Sequence, residues 1–180
     1  MFVAVGGIPG SGKSTLARAV AGRLVAALLD LDTLTNPLLT LLAGTVGAGD
    51  DLDHPSLRGA VRDARYRCLA DTVTQVVSAG CSAVAVAPFT AELAESVAWQ
   101  TFSGPAIEQA TGSMLICVHV DPSVARQRRL DRGLPRDLSF RELESAPAPA
   151  ARTPHICADG TADPQREADR LARILSETAG

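Results

Sequence analysis

Lysine is almost absent from this chain. Of 17 basic side chains all are arginine except Lys13. Aromatic residues make up only 3 % of the sequence. That scarcity makes the core aliphatic and leaves few platforms on which nucleic-acid bases could stack. No CxxC pair occurs: Cys68, Cys81, Cys117 and Cys157 are scattered singly. Each lies in or beside an apolar run, so they read as buried, reduced thiols rather than as a disulfide framework or metal site. No apolar run approaches the roughly 18 residues of a membrane-crossing helix. The apolar start is too short for a signal peptide and lacks a basic flank, so a cytoplasmic protein is expected. There is no excess of positive charge either. The net charge is −3, which argues against a general nucleic-acid or membrane-surface binder. No internal repeat is present, and 180 residues suffice for one domain.

What is present is concentrated near the start. The apolar run Phe2-Val3-Ala4-Val5 reads as a strand, and Thr15 to Ala21 reads as a helix. Between them lies Gly7-Ile8-Pro9-Gly10-Ser11-Gly12-Lys13-Ser14, the phosphate-binding P-loop pattern in its required strand–loop–helix setting. Glycines let backbone N–H groups turn inward where a Cβ would block the approach. Those groups and the positive helix end form an anion site. In such a loop Lys13 reaches the β- and γ-phosphates and the Ser14 hydroxyl ligates Mg²⁺, so ATP and Mg²⁺ are the expected cofactors. A compact ammonium suits this position better than a planar guanidinium, which fits the single lysine.

Further along, strands and helices alternate, which predicts a parallel sheet with helices on both faces. Strands are expected over about 2–6, 26–30, 82–87, 113–120 and 154–158. Helices are expected over about 13–25, 33–42, 56–79, 90–101 and 122–132. Gly104-Pro105 is expected to break the 90–101 helix, and a last helix is expected over 164–177, capped by Asp163. The stretch 44–55 reads as a loop and 133–151 as loop with a short helix.

Asp30 and Asp32 fall at the carboxyl end of the second strand, the edge where open α/β sheets bind ligands. Phosphoryl transfer to a hydroxyl needs a carboxylate there to take the proton. Asp32 is the candidate base, the alternative being a helix cap. Asp30 is a helper, acting on Mg²⁺ through water. Arg58, Arg62 and Arg65 share one helix face and are candidates for holding the acceptor, or else for ordinary salt bridges. Phe89 and Tyr66 are candidates for lining the acceptor pocket, or else for the core. His54 is expected at the surface, and no chemistry is assigned to His119 or His155. Arg126, Arg128, Arg129, Arg132, Arg136 and Arg141 cluster, and Arg128 and Arg132 share a helix face.

Gly7–Thr15, Leu29–Asp32, Tyr66–Gly80, Ala87-Pro88-Phe89 and Val118–Asp137 follow the order seen in small P-loop kinases. The chain resembles the group containing gluconate kinases, chloramphenicol phosphotransferase, zeta toxins and the kinase domain of polynucleotide kinase, and within it the small-molecule kinases with AAA-type ATP binding. The resemblance implies an α/β P-loop NTPase of nucleoside-monophosphate-kinase type: a three-layer sandwich around a five-stranded parallel sheet of order 2-3-1-4-5. It implies nucleotide contacts from Gly7, Pro9, Gly10, Ser11, Gly12, Lys13, Ser14 and Thr15. It implies a substrate-binding segment at about 33–66 and a lid at about 126–145, whose Arg128, Arg132 and Arg136 close over the transferred group. The adenine is expected between the lid helix and Ala158–Ala162. In many such proteins an aspartate precedes Ala-Pro-Phe; here Val86 does, which shifts its Mg²⁺-supporting work to Asp30 or Asp32, or weakens the chemistry. The implied activity is transfer of the ATP γ-phosphate to a hydroxyl of a small polar acceptor such as a sugar, nucleoside or aminoglycoside-like compound, by a monomer or homodimer. The alternatives are a regulatory nucleotide-binding module or slow ATPase, a zeta-toxin-like nucleotide-sugar kinase, and a polynucleotide 5′-hydroxyl kinase.

Overall fold

The computed structural model describes residues 1–49, 54, 57, 60–133 and 150–178. Five strands, β1 (Phe2–Gly6), β2 (Ala27–Asp30), β3 (Ala83–Val86), β4 (Ser113–His119) and β5 (Ile156–Asp159), form one sheet. Its order is β2-β3-β1-β4-β5. Every neighbouring pair is parallel, as the resemblance implied. Seven helices among the described residues cover it: α1 (Lys13–Leu24), α2 (Leu31–Thr45), α3 (Ala60–Ser78), α4 (Thr90–Ala94), α5 (Ser96–Ile107), α6 (Pro122–Arg132) and α7 (Pro164–Thr178).

Strand alternation sorts the core into two layers. Phe2, Ala4, Ala83, Ala85, Leu115 and Cys117 face α3 and α5, meeting Leu69, Val73, Val77 and Phe102. Val3, Val5, Val84, Val86, Ile116 and Val118 face α1 and α7, meeting Leu16, Ala17, Val20, Leu171 and Leu175. The central strands are apolar on both sides because both sides are covered.

Three departures from the sequence reading have local causes. The helix expected from Thr33 starts at Leu31, because Asp30 is its cap and accepts from the N–H groups of Asp32 and Thr33. Pro37 lies inside this helix. Gly104-Pro105 does not break a helix but sits within α5; burial of Phe102 and Ala106 on either side outweighs the local propensity. The break falls instead at Glu95, where the Leu93 carbonyl accepts from the N–H groups of Arg152 and Thr153. The cysteines are free, yet only Cys117 is buried; Cys68, Cys81 and Cys157 are exposed.

Phe89 does not line an acceptor pocket. It is fully buried and packs edge-on against Phe102, with ring centroids 4.9 Å apart, and against Tyr66 at 5.9 Å. With Phe2 and Trp99 these rings form one cluster between the sheet and α3/α5. Few aromatics are available, and this cluster takes every one except Phe140, which lies outside the described residues. Phe89 adopts φ 49°, ψ 34°, a left-handed conformation uncommon for a bulky residue. Its burial and the bond from its N–H to the Tyr66 hydroxyl (3.1 Å) hold it there. The same burial, followed by the charge of Glu92, pushes the Tyr66 hydroxyl up to about 12. Phe89→Ala is expected to cost about 3–5 kcal/mol in urea unfolding, with acceptor KM unchanged well below the melting temperature. A KM change without a stability change would return Phe89 to the acceptor site.

Candidate active site

The loop between β1 and α1 wraps the start of α1 through backbone that only glycine adopts easily. Gly10 has φ 84°, and a Cβ there would strike the carbonyl of Ala125 in α6. The loop is thus pressed against α6 with no room for a side chain. Ser11 is fully buried, and its hydroxyl has no hydrogen-bond partner among the described residues. Lys13 Nζ lies 3.5 Å from the Ile8 carbonyl within the same loop. Gly7 anchors the loop's other side, its N–H donating to the Pro88 carbonyl at the end of β3 (3.2 Å).

The two aspartates have separate jobs in the structure. Asp30 Oδ1 accepts from the N–H groups of Asp32 and Thr33 at 3.0 and 3.1 Å, capping α2. Its Oδ2 accepts from the Ser14 hydroxyl at 3.2 Å. Asp32 sits in the first turn of α2, where its Oδ1 accepts from Arg65 Nη2 at 2.7 Å. Arg65 is held in turn by Thr35 Oγ1 (2.8 Å) and Asn36 Oδ1 (2.9 Å). Val86 is the register partner of Asp30 on the neighbouring strand. The chain thus carries an acid one strand away from the position that Val86 leaves apolar.

Of the three arginines expected on one face of α3, Arg62 and Arg65 are engaged within the protein. The Arg62 guanidinium lies 4.2 Å above the Tyr66 ring and 3.7 Å from Glu92. Burial raises the pKa of that Glu92 carboxyl, partly offset by Arg62. Arg58 and Arg136 fall outside the described residues, as does the rest of the segment expected to form a lid beyond Gly133.

The arginines of α6 divide in a way their spacing did not announce. Arg128 Nη1 donates to the Gly160 carbonyl at 2.9 Å and lies 3.4 and 3.5 Å from the carbonyls of Gly10 and Ser11. It ties the P-loop to the turn after β5. Arg129, given no role from sequence, is buried and donates to the Pro9 carbonyl at 3.1 Å. Arg132 is exposed one turn further on. Gly160 is the other residue that sequence left unmarked individually: a Cβ there would strike the Ser11 carbonyl. Its signal was only the Asp-Gly turn after a strand.

A cavity of about 270 Å³ opens where these parts meet, lined by Gly12, Thr15, Arg128, Asp159, Gly160 and Pro164. It occupies the place expected for the adenine. Asp159 on its rim is held below the usual carboxylate range by the Thr161 hydroxyl and N–H, with Arg128 adding a smaller effect. The residues fit a bound Mg²⁺–nucleotide. The glycine cradle cannot hold side chains, the buried Ser11 hydroxyl has hydrogen-bonding capacity to spare, and Ser14 and Asp30 offer two hard oxygens at the spacing of neighbouring ligands on one cation.

A parallel sheet of order β2-β3-β1-β4-β5 with a P-loop after β1 and acids after β2 defines the P-loop kinase fold. The chain belongs to the family described as AAA domain, which matches residues 2–149. Solved structures with the same fold include the Mycobacterium tuberculosis APS kinase in complex with AMPPNP and APS (17 % identity, TM-score 0.67, 97 % of this chain and 96 % of that one). A sugar kinase from Janibacter sp. HTCC2649 is 19 % identical with a TM-score of 0.61, covering 97 % of this chain and 94 % of that one. A gluconokinase from Sinorhizobium meliloti 1021 is 19 % identical with a TM-score of 0.57, covering 99 % and 97 %. No curated protein matches the sequence. Among the described residues no helix is long and apolar enough to cross a membrane.

Proposed function

We propose that this protein is an ATP- and Mg²⁺-dependent kinase that phosphorylates a hydroxyl of a small polar molecule. The observation that carries the reading is the Ser14–Asp30 contact at 3.2 Å. It couples the Mg²⁺-binding hydroxyl of the P-loop to the first turn of α2, and that turn bears Asp32. A phosphate-holding loop and a candidate base are thereby parts of one rigid junction.

In this reading Mg²⁺–ATP supplies the phosphoryl group. The loop amides and Lys13 hold its phosphates, and Ser14 and Asp30 hold the cation's ligand sphere. Asp32, oriented by Arg65, accepts the proton of the acceptor hydroxyl. Arg128 and Gly160 shape the base side, and Arg129 stiffens the loop through Pro9. Arg132 and Arg136 are the arginines left to reach the transferred group. The presence of Asp30 beside Val86 supports a competent kinase over a slow ATPase, because the acid missing from β3 is offered by β2. The sugar kinase, the gluconokinase and the APS kinase with its bound APS point to small, highly polar acceptors.

The test is an acceptor panel of sugars, sugar acids, nucleosides, aminoglycosides and 5′-hydroxyl oligonucleotides with Mg²⁺–ATP, read by phosphorus NMR and mass spectrometry. A phosphomonoester formed with equimolar ADP from a small acceptor is the expected result. ATP hydrolysis that no acceptor accelerates would overturn the reading in favour of a slow ATPase.

A further inference from the structure

Away from the P-loop carboxylates, two strands bring four metal-type donors to one face of the sheet. β4 carries Cys117 and His119, two residues apart, and the chain entering β5 carries His155 and Cys157, also two apart. Two-residue spacing along an extended chain keeps side chains on one face. The parallel register sets Cys117 directly beside Cys157. The donor atoms of Cys117, His119 and His155 all lie within 4.8 Å of one another. Cys157 Sγ is 3.8 Å from His155 Nε2. His155 Nδ1 is 2.7 Å from the Thr153 carbonyl, a contact that needs the proton on Nδ1 and leaves Nε2, 3.8 Å from the Cys157 thiol, with its lone pair available. A histidine fixed through its other nitrogen is the usual preparation of a metal ligand.

We propose that Cys117, His119, His155 and Cys157 form a tetrahedral Zn²⁺ site separate from the nucleotide's Mg²⁺ position. The donor set is two sulfurs and two imidazoles, which selects Zn²⁺ over Mg²⁺ or Ca²⁺. Zinc–ligand bonds of about 2.0–2.3 Å place tetrahedral donors about 3.3–3.8 Å apart, so the three donors within 4.8 Å must draw together, with Cys157 joining from beside His155. Binding forms two Zn–S and two Zn–N bonds, and the two thiol protons pass to solvent with no change of oxidation state. Entry is open: His119 and Cys157 line a surface cavity of about 730 Å³. The cation would clamp β4 to β5 next to the base cavity, because the His119 carbonyl accepts from the Gly160 N–H at 2.7 Å and Gly160 accepts from Arg128.

The test uses the full chain, reduced and stripped of metal, in excess Mg²⁺. Titration with Co²⁺ should give thiolate charge-transfer bands in the near ultraviolet and tetrahedral bands in the visible, saturating at one equivalent and bleached by one equivalent of Zn²⁺. Zn²⁺ should also raise the melting temperature. Cys157→Ser, at an exposed position, should weaken the charge-transfer bands and lower Zn²⁺ affinity in a folded protein. Cys117→Ser/Cys157→Ser should abolish both bands and the melting shift. A Co²⁺ spectrum of six-coordinate oxygen type, or bands unchanged by Cys157→Ser, would overturn the proposal. So would loss of both thiols to a disulfide under the titration conditions with no metal retained.

Discussion

Asp32→Asn is expected to cut kcat by about a hundredfold or more while leaving ATP affinity nearly unchanged. The substitution keeps shape and hydrogen-bonding capacity but removes the group that can take a proton. Asn Oδ1 can still accept from Arg65 Nη2, and Arg65 keeps Thr35 and Asn36, so the first turn of α2 should stay in place. The Asp32 side chain is 43 % exposed and its partner 22 %. A partly solvated pair of this kind contributes only about 0–1 kcal/mol, so the melting temperature should barely move. Steady-state kinetics with a phosphorylated acceptor and nucleotide titration by calorimetry separate these effects. Unchanged turnover would remove Asp32 from the base role; weakened ATP binding would make it part of the nucleotide site instead. Arg65 gives a second reading of the same geometry. If it orients Asp32 rather than the acceptor, Arg65→Lys should lower kcat more than it raises acceptor KM.

The parts of this site that were legible in sequence are those fixed within a few consecutive residues. The P-loop is one, since its glycines, lysine and serine act on one another's backbone. The sheet order also followed, since alternating elements and the family pattern leave few topologies. The sequence set Asp30 and Asp32 apart in role, but the geometry of the pair was not legible in it. It depends on which residue caps α2, and that is decided by where β2 ends against β3. The choice between pocket and core for Phe89 stayed open in the sequence because its burial is set by Phe102 and Tyr66, distant along the chain. Arg128 and Arg129 are adjacent in the chain yet reach different carbonyls, Gly160 and Pro9, because the helix turns each toward a different loop. The four-donor cluster was invisible for the same reason. Cys117 and Cys157 are far apart in sequence, and only strand register makes them neighbours.

Asp30→Asn and Asp30→Ala should separate the two functions that meet at one carboxylate. Asparagine caps helices about as well as aspartate, so Asp30→Asn should retain the bonds to the N–H groups of Asp32 and Thr33 and melt close to the parent. It removes the negative charge beside Ser14. Weakening the support of a metal's ligands commonly costs about 10–100-fold in metal affinity or activity, so the Mg²⁺ concentration for half-maximal rate should rise and kcat fall by a similar factor. Asp30→Ala should show the same Mg²⁺ defect plus a loss of about 1 kcal/mol from the uncapped helix, seen in urea unfolding. Val86 supplies the reciprocal experiment. Because it is the register partner of Asp30, Asp30→Asn/Val86→Asp moves the acid back by one strand, with the Asn still capping α2. Val86 is 2 % exposed, so the new carboxylate must be used by the cation or remain a costly buried charge. Recovery of Mg²⁺ dependence toward the parent would show that β2 and β3 offer alternative seats for one carboxylate. A double variant no better than Asp30→Asn would mean that the β3 position cannot stand in for Asp30, whereas an Asp30→Asn variant with unchanged Mg²⁺ dependence would mean that Asp30 serves the helix cap and contributes nothing to the metal.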